Sequence, residues 1–209
     1  SGTTSRARPT ATTPCAISVW AGRFRGQDRY AVKAVELLTA WTVHPATRME
    51  PQLTNGQSHI ELFITTPGYI YGGHLVDGYE GWDPAVKDRW KDWVRRFTDS
   101  LTQVEHRNNF ENWMLVLMST AGVLLDDDDL LSRAFARWRE ILPLQMGADG
   151  HLVHEIGRTK SLDYSTYAVN AMVQTAEIAR LCGVDLFGFQ LDDGRGLERC
   201  LDFHAEHMA

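Results

Sequence analysis

From Asn109 to Leu125 the chain is almost wholly apolar, with Trp113, Met114, Leu115, Val116, Leu117, Met118, Val123 and Leu124 leaving no side for water. A helix that is apolar all round is buried all round. The run falls short of the roughly 18 apolar residues that would point to a membrane span, and nothing longer occurs elsewhere in the sequence. Whatever this chain folds into must therefore wrap one central helix in other elements.

The flanking sequence supplies helices for that purpose. From Asp28 to Val43, Tyr30, Ala34, Leu37, Leu38 and Trp41 recur at three- and four-residue steps, with Asp28 placed as an N-cap and His44-Pro45 as a stop. Between Thr54 and Leu75, Ile60, Phe63, Ile64, Tyr69 and Ile70 predict two short helices broken at Pro67-Gly68. Asp83 caps and Pro84 opens a helix running to Val104 through Val86, Trp90, Trp93, Val94, Phe97 and Leu101. Asp126 to Asp129 then form an acidic turn. It lacks the spaced ligands and central Gly of a calcium loop, so it reads as the cap of a helix over Leu130 to Leu144. Ala148-Asp149-Gly150 is a turn, Tyr164 to Leu181 a further helix closed by Gly183, and Leu197 to His207 the last. No convincing alternating run appears, so strands are few or absent. Short connections make successive helices antiparallel, and buried helices alternating with half-exposed ones point to two concentric layers.

Composition narrows function. With 209 residues the chain can bury one sizeable core, and a formal net charge of −6 argues against nucleic acid and against a general polyanion-binding surface. Its seven Trp suit both helix packing and stacking on sugar rings. Ser1 to Pro14, rich in Ser, Thr, Arg and Pro without an apolar stretch, reads as a disordered leader ahead of one domain over residues 15–209. Of Cys15, Cys182 and Cys200, the last two either bridge C-terminal helices or remain buried thiols like the first.

Two segments interrupt the apolar pattern with polar residues. Arg107-Asn108-Asn109-Phe110-Glu111-Asn112-Trp113 opens the central helix; one Asn is a cap, but three exceed what capping needs. The second, His154 to Ala168, gathers Arg158, Lys160, Tyr164 and Tyr167 into one turn-to-helix junction, with the tyrosines sharing a face by their spacing of three. Read without further context, these are a cap, an Arg158–Glu155 surface pair and two packed tyrosines.

Taken in order, the Asn-Asn-x-x-x-Trp opening, the Asp-Gly turn, Glu-x-x-Arg-x-x-Ser-x-x-Tyr-Ser-x-Tyr-Ala and a closing Gly-Val-Asp-Leu resemble the alginate-lyase superfamily of helical-toroid polysaccharide lyases. The resemblance runs from about Gly26 to the C-terminus and is densest from Asn108 to Leu186. It implies an all-α fold, an incomplete (α/α) toroid of antiparallel helix pairs, because such lyases are usually longer at the N-terminus. It also implies an anionic polysaccharide substrate, a secreted or periplasmic location, and no metal or other cofactor. Asn109 matches the Asn that hydrogen-bonds the uronate carboxylate, Arg158 the Arg beside it, and Tyr164 the catalytic Tyr. Asn108, Trp113, Lys160, Tyr167 and His59 are the expected substrate-binding neighbours. Where the family's alginate lyases carry a His base, this chain has Phe110.

β-Elimination explains why such residues are wanted. The C5 proton of a uronate is weakly acidic because the adjacent carboxylate resists a second negative charge. Hydrogen bonds and a cation at that carboxylate stabilise the enolate-like intermediate. Positive charge beside a phenol favours its ionised form, which can take the C5 proton and return it to the leaving oxygen. One Tyr serves both steps only if proton and leaving group share a face, as in mannuronate and glucuronate. A His from elsewhere, His59, His106 or His154, could supply a separate base. Two other readings compete: a non-catalytic carbohydrate-binding helical domain, and a hydrolase using Glu111 and Glu155 as paired carboxylates.

Overall fold

Asp83 accepts hydrogen bonds from the Ala85 and Val86 N–H groups, and Pro84 takes the first helical position, where a missing N–H costs nothing. Side-chain caps of this kind also open the helices that follow Asn55, Asn108 and Asp127. A computed structural model describes residues 28–208. In it, seven α-helices follow one another: α1 Asp28–Thr42, α2 Gly56–Leu75, α3 Pro84–Leu101, α4 Asn109–Leu125, α5 Asp128–Gln145, α6 Ser161–Leu181 and α7 Leu197–Met208. The only strand-like pairings among the described residues are the isolated bridges Met146–Leu152 and Gln190–Gly196. The expected leader, Ser1 to Pro14, lies outside the described residues, as do Cys15 and Trp20.

The helices sort into two kinds. α1, α3, α5 and α7 are strongly amphipathic, whereas α2, α4 and α6 have no single apolar face. The even-numbered helices form the inner layer. α4 is the hub, packed against α2, α3, α5 and α6, while α1 lies on α2 and α3, and α7 lies on α6. Almost every residue of α4 is buried, including the polar Ser119 and Thr120, whose hydroxyls donate to carbonyls four residues back. This alternation is the (α/α) toroid pattern, with helix pairs following one another around the inner layer.

One sequence expectation fails at α2. It is a single helix through Pro67, not two short ones. Pro67 cannot donate to the carbonyl four residues back, but its fixed φ is helical, and the buried Ile60, Phe63, Thr66 and Ile70 hold the segment against the core. The helix also has a strong start: the Asn55 side chain accepts the Ser58 N–H while the Ser58 hydroxyl accepts the Asn55 N–H. Near its end, Gly73 admits the Trp90 ring, which a Cβ at that position would strike.

The core absorbs most of the tryptophans. Trp82, Trp90, Trp93, Trp113 and Trp138 are buried, and Trp41 is exposed. Trp93 donates its indole N–H to the Met49 carbonyl at 2.8 Å, fixing the segment after α1. Cys182 and Cys200 are not joined to each other, so the alternative in which they bridge the C-terminal helices does not hold. Burial pushes the Cys200 thiol up to about 12.

Candidate active site

The N-terminal ends of the three inner helices meet at one cleft. α2 contributes Gln57, Ile60, Glu61 and Ile64, α4 contributes Asn109 and Phe110, and α6 with its leading loop contributes Arg158, Lys160, Asp163, Tyr164 and Tyr167. The cleft encloses about 420 Å³, within the range of small-ligand sites. Because helix N-termini carry partial positive charge, the arrangement favours an anionic ligand even in a chain of net negative charge.

A buried carboxylate organises the cleft floor. Glu155, only 1% exposed, accepts both the backbone N–H and the side-chain Nδ2 of Asn109 on Oε1, each at 2.9 Å. Its Oε2 accepts from Arg158 Nη1 at 3.3 Å. Arg158 in turn lies over the ring of Tyr164, its guanidinium carbon 3.3 Å from the ring centroid. Asn109, Arg158 and Tyr164 are thereby linked through a group the sequence reading left as half of a surface pair. One amide hydrogen of Asn109 is committed to Glu155; the second, and four of the five guanidinium N–H donors of Arg158, remain beyond the Glu155 bonds.

Lys160 and Tyr167 also line the cleft, as expected from the sequence. Tyr167 packs at a tilt on Trp113, with ring centroids 4.8 Å apart. Burial, helped by the charge of Glu61, pushes its phenol up to about 12, so it stands in the cleft as a neutral hydrogen-bonding group.

Three expected substrate contacts fall elsewhere. Asn108 is the N-cap of α4, accepting the Phe110 N–H at 3.2 Å, and it faces a small cavity behind Glu155 together with Asn112, Gln145 and His154. Trp113 is core, reaching the cleft only through Tyr167. His59 lies behind the cleft wall in an aromatic cluster: its ring is edge-on to Phe63 at 6.1 Å and to His106 at 5.9 Å, and His106 is edge-on to Phe110 at 5.5 Å. Apolar packing of the imidazoles against phenylalanines accounts for that placement. None of His59, His106 and His154 is among the cleft-lining residues.

The paired-carboxylate alternative also fails. Glu111 is 0% exposed and is held by Arg137 Nε at 2.6 Å, and Glu155 is held by Asn109 and Arg158. Both carboxylates are buried and taken up by these partners, which leaves neither placed to act as acid or nucleophile. Sequence reasoning missed the whole α2 wall. Gln57, Ile60, Glu61 and Ile64 do share a face by spacing, but a segment read as two broken helices offered no continuous face to find.

The alginate lyase family model matches residues 19–209 of this chain. Comparison with curated proteins gives no match. Among solved structures, an alginate lyase from Bacteroides ovatus superposes with a TM-score of 0.78 at 23% identity, over 90% of this chain and 55% of that one. Alginate lyase A1-III from Sphingomonas species A1 gives a TM-score of 0.76 at 21% identity, over 92% of this chain and 56% of that one. A Tyr-to-Phe variant of alginate lyase A1-III, complexed with tetrasaccharide, gives 0.76 at 20% identity, over 92% and 57%. This chain thus spans a little over half the length of the structures it matches, and at these identities the likeness is one of fold. With the family model matching nearly the whole of it, the chain belongs to the alginate lyase family.

Proposed function

We propose that this chain acts as a polysaccharide lyase that cleaves a mannuronate- or glucuronate-containing polymer by β-elimination, in a secreted or periplasmic setting. The observation that carries the reading is the joining of Asn109, Arg158 and Tyr164 in one cleft at the inner-helix N-termini. The free amide hydrogen of Asn109 and the guanidinium of Arg158 bind the substrate carboxylate and meet the charge that develops on it. Tyr164 removes the C5 proton, the C4–O4 bond breaks as the C4=C5 double bond forms, and the same phenol protonates the departing O4. The chain's residues supply every step.

Phe110 lines the cleft where the family resemblance places a His, and a phenyl ring accepts no proton. Tyr164 then both takes and gives the proton, which restricts turnover to sugars with C5–H and O4 on one face. The test is ultraviolet absorbance of the unsaturated product across a panel of polyuronates. Polymers of mannuronate or glucuronate should yield product, and those of guluronate or galacturonate little. A preference for guluronate or galacturonate contradicts the single-Tyr scheme. The same Phe110 favours a second reading, a non-catalytic carbohydrate-binding domain, for which the panel gives binding without absorbance.

A further inference from the structure

The cleft carries charges of both signs, and its cations are confined to the α6 side. Its α6 side carries Arg158 and Lys160, and Arg158 is already met by the buried Glu155. The facing α2 wall carries Glu61, and Asp163 lies in the first turn of α6. Glu61 is exposed to the cleft, and its hydrogen-bond partner is neutral: Gln57 Nε2 donates to Oε1 at 2.6 Å. Its charge reaches across to the Tyr167 phenol.

A homopolymer of uronates brings a carboxylate on every sugar. Here only one side of the cleft can receive one, and a neighbouring carboxylate meets Glu61 instead. A neutral sugar suits that wall better: its hydroxyls donate to the Glu61 carboxylate and accept from Gln57, and its apolar face rests on Ile60 and Ile64.

We propose that the substrate is a heteropolymer in which each uronate is flanked by a neutral sugar, with Glu61 selecting the neutral neighbour. This rests on the lyase reading above for the uronate position, but the selection itself is a property of binding.

The experiment compares size-matched 4-linked oligosaccharides of glucuronate alone with those alternating glucuronate and N-acetylglucosamine. Binding is measured by calorimetry and product by absorbance, for the wild-type chain and for Glu61→Gln. The wild type should bind the alternating oligosaccharide at least tenfold more tightly. Glu61→Gln, which keeps shape and removes charge at an exposed helix position, should bring the ratio to about one, chiefly by improving the homopolymer. Equal binding in the wild type, or a ratio unmoved by Glu61→Gln, overturns the proposal. If the binding preference appears but neither oligosaccharide gives unsaturated product, the lyase reading fails and the selection by Glu61 stands.

Discussion

Tyr164 is reached by Arg158 from the face of its ring, which leaves the phenol oxygen to the cleft. Tyr164→Phe should therefore keep the fold and the affinity for oligosaccharide while abolishing product; calorimetry beside the absorbance assay checks this, and substantial remaining turnover would exclude the mechanism. Asn109→Ala and Arg158→Ala should each lower turnover by about 100- to 1000-fold, the usual cost of losing one donor to a developing oxyanion. Glu155 acts through these two. It is buried and does not line the cleft, so Glu155→Ala should lower kcat more than it raises KM. It should also cost stability on the order of 3 kcal/mol, because the buried Asn109 N–H and amide lose their acceptor. Denaturant titration reads the second effect. A variant with normal kcat and lowered stability would make Glu155 purely structural.

At the level of the helices, the junction before α4 couples the cleft wall to pH. His106 is packed edge-on against Phe63, Phe110 and His59, with the Glu111 carboxylate nearby; burial lowers its pKa below the ordinary 6.5, against the pull of Glu111 and with the help of His59. A His with a depressed folded-state pKa binds fewer protons folded than unfolded. Its contribution to stability is thus present above about 6.5 and is lost as the pH falls below that. Thermal unfolding followed from pH 7.5 downward should show Tm dropping on the acid side of about 6.5, and His106→Gln should flatten that limb. How far the helices were legible follows the same local physics. α4 could be read to the residue, because Asn108 caps it and every side is apolar. The start of α3 was equally plain from Asp83-Pro84, but it ends at Leu101, three residues short of the expected Val104. α2 was not, because Pro67 ends helices in isolation and is overruled here only by burial among side chains distant in sequence. Within the cleft, Arg158, Lys160, Tyr164 and Tyr167 were legible because they share one junction. Glu155 was hidden because nothing local marks a Glu three residues before an Arg as buried, and Glu61 because its wall was.

Over the whole chain, the formal charge of −6 opposes the approach of any polyanion, while the cleft attracts a carboxylate locally through Arg158, Lys160 and the ends of α4 and α6. These two influences have different ranges, so salt separates them. At an ionic strength of about 0.01 M the Debye length is about 30 Å, and the approaching polymer feels the summed negative charge. Near 0.15 M it is about 8 Å, and only groups inside the cleft act on a carboxylate at its mouth. Raising the salt over that interval should speed association and lower KM. An enzyme whose surface steers polyanions inward would do the opposite. Beyond about 0.5 M, the contacts of Arg158 and Lys160 are screened in turn and KM should rise again, giving a minimum in KM against salt. Initial rates of product absorbance at a series of sodium chloride concentrations, with glucuronate oligosaccharides, measure the curve. A KM that rises steadily from the lowest salt would mean that a basic surface dominates the encounter, which the charge balance of this chain does not provide.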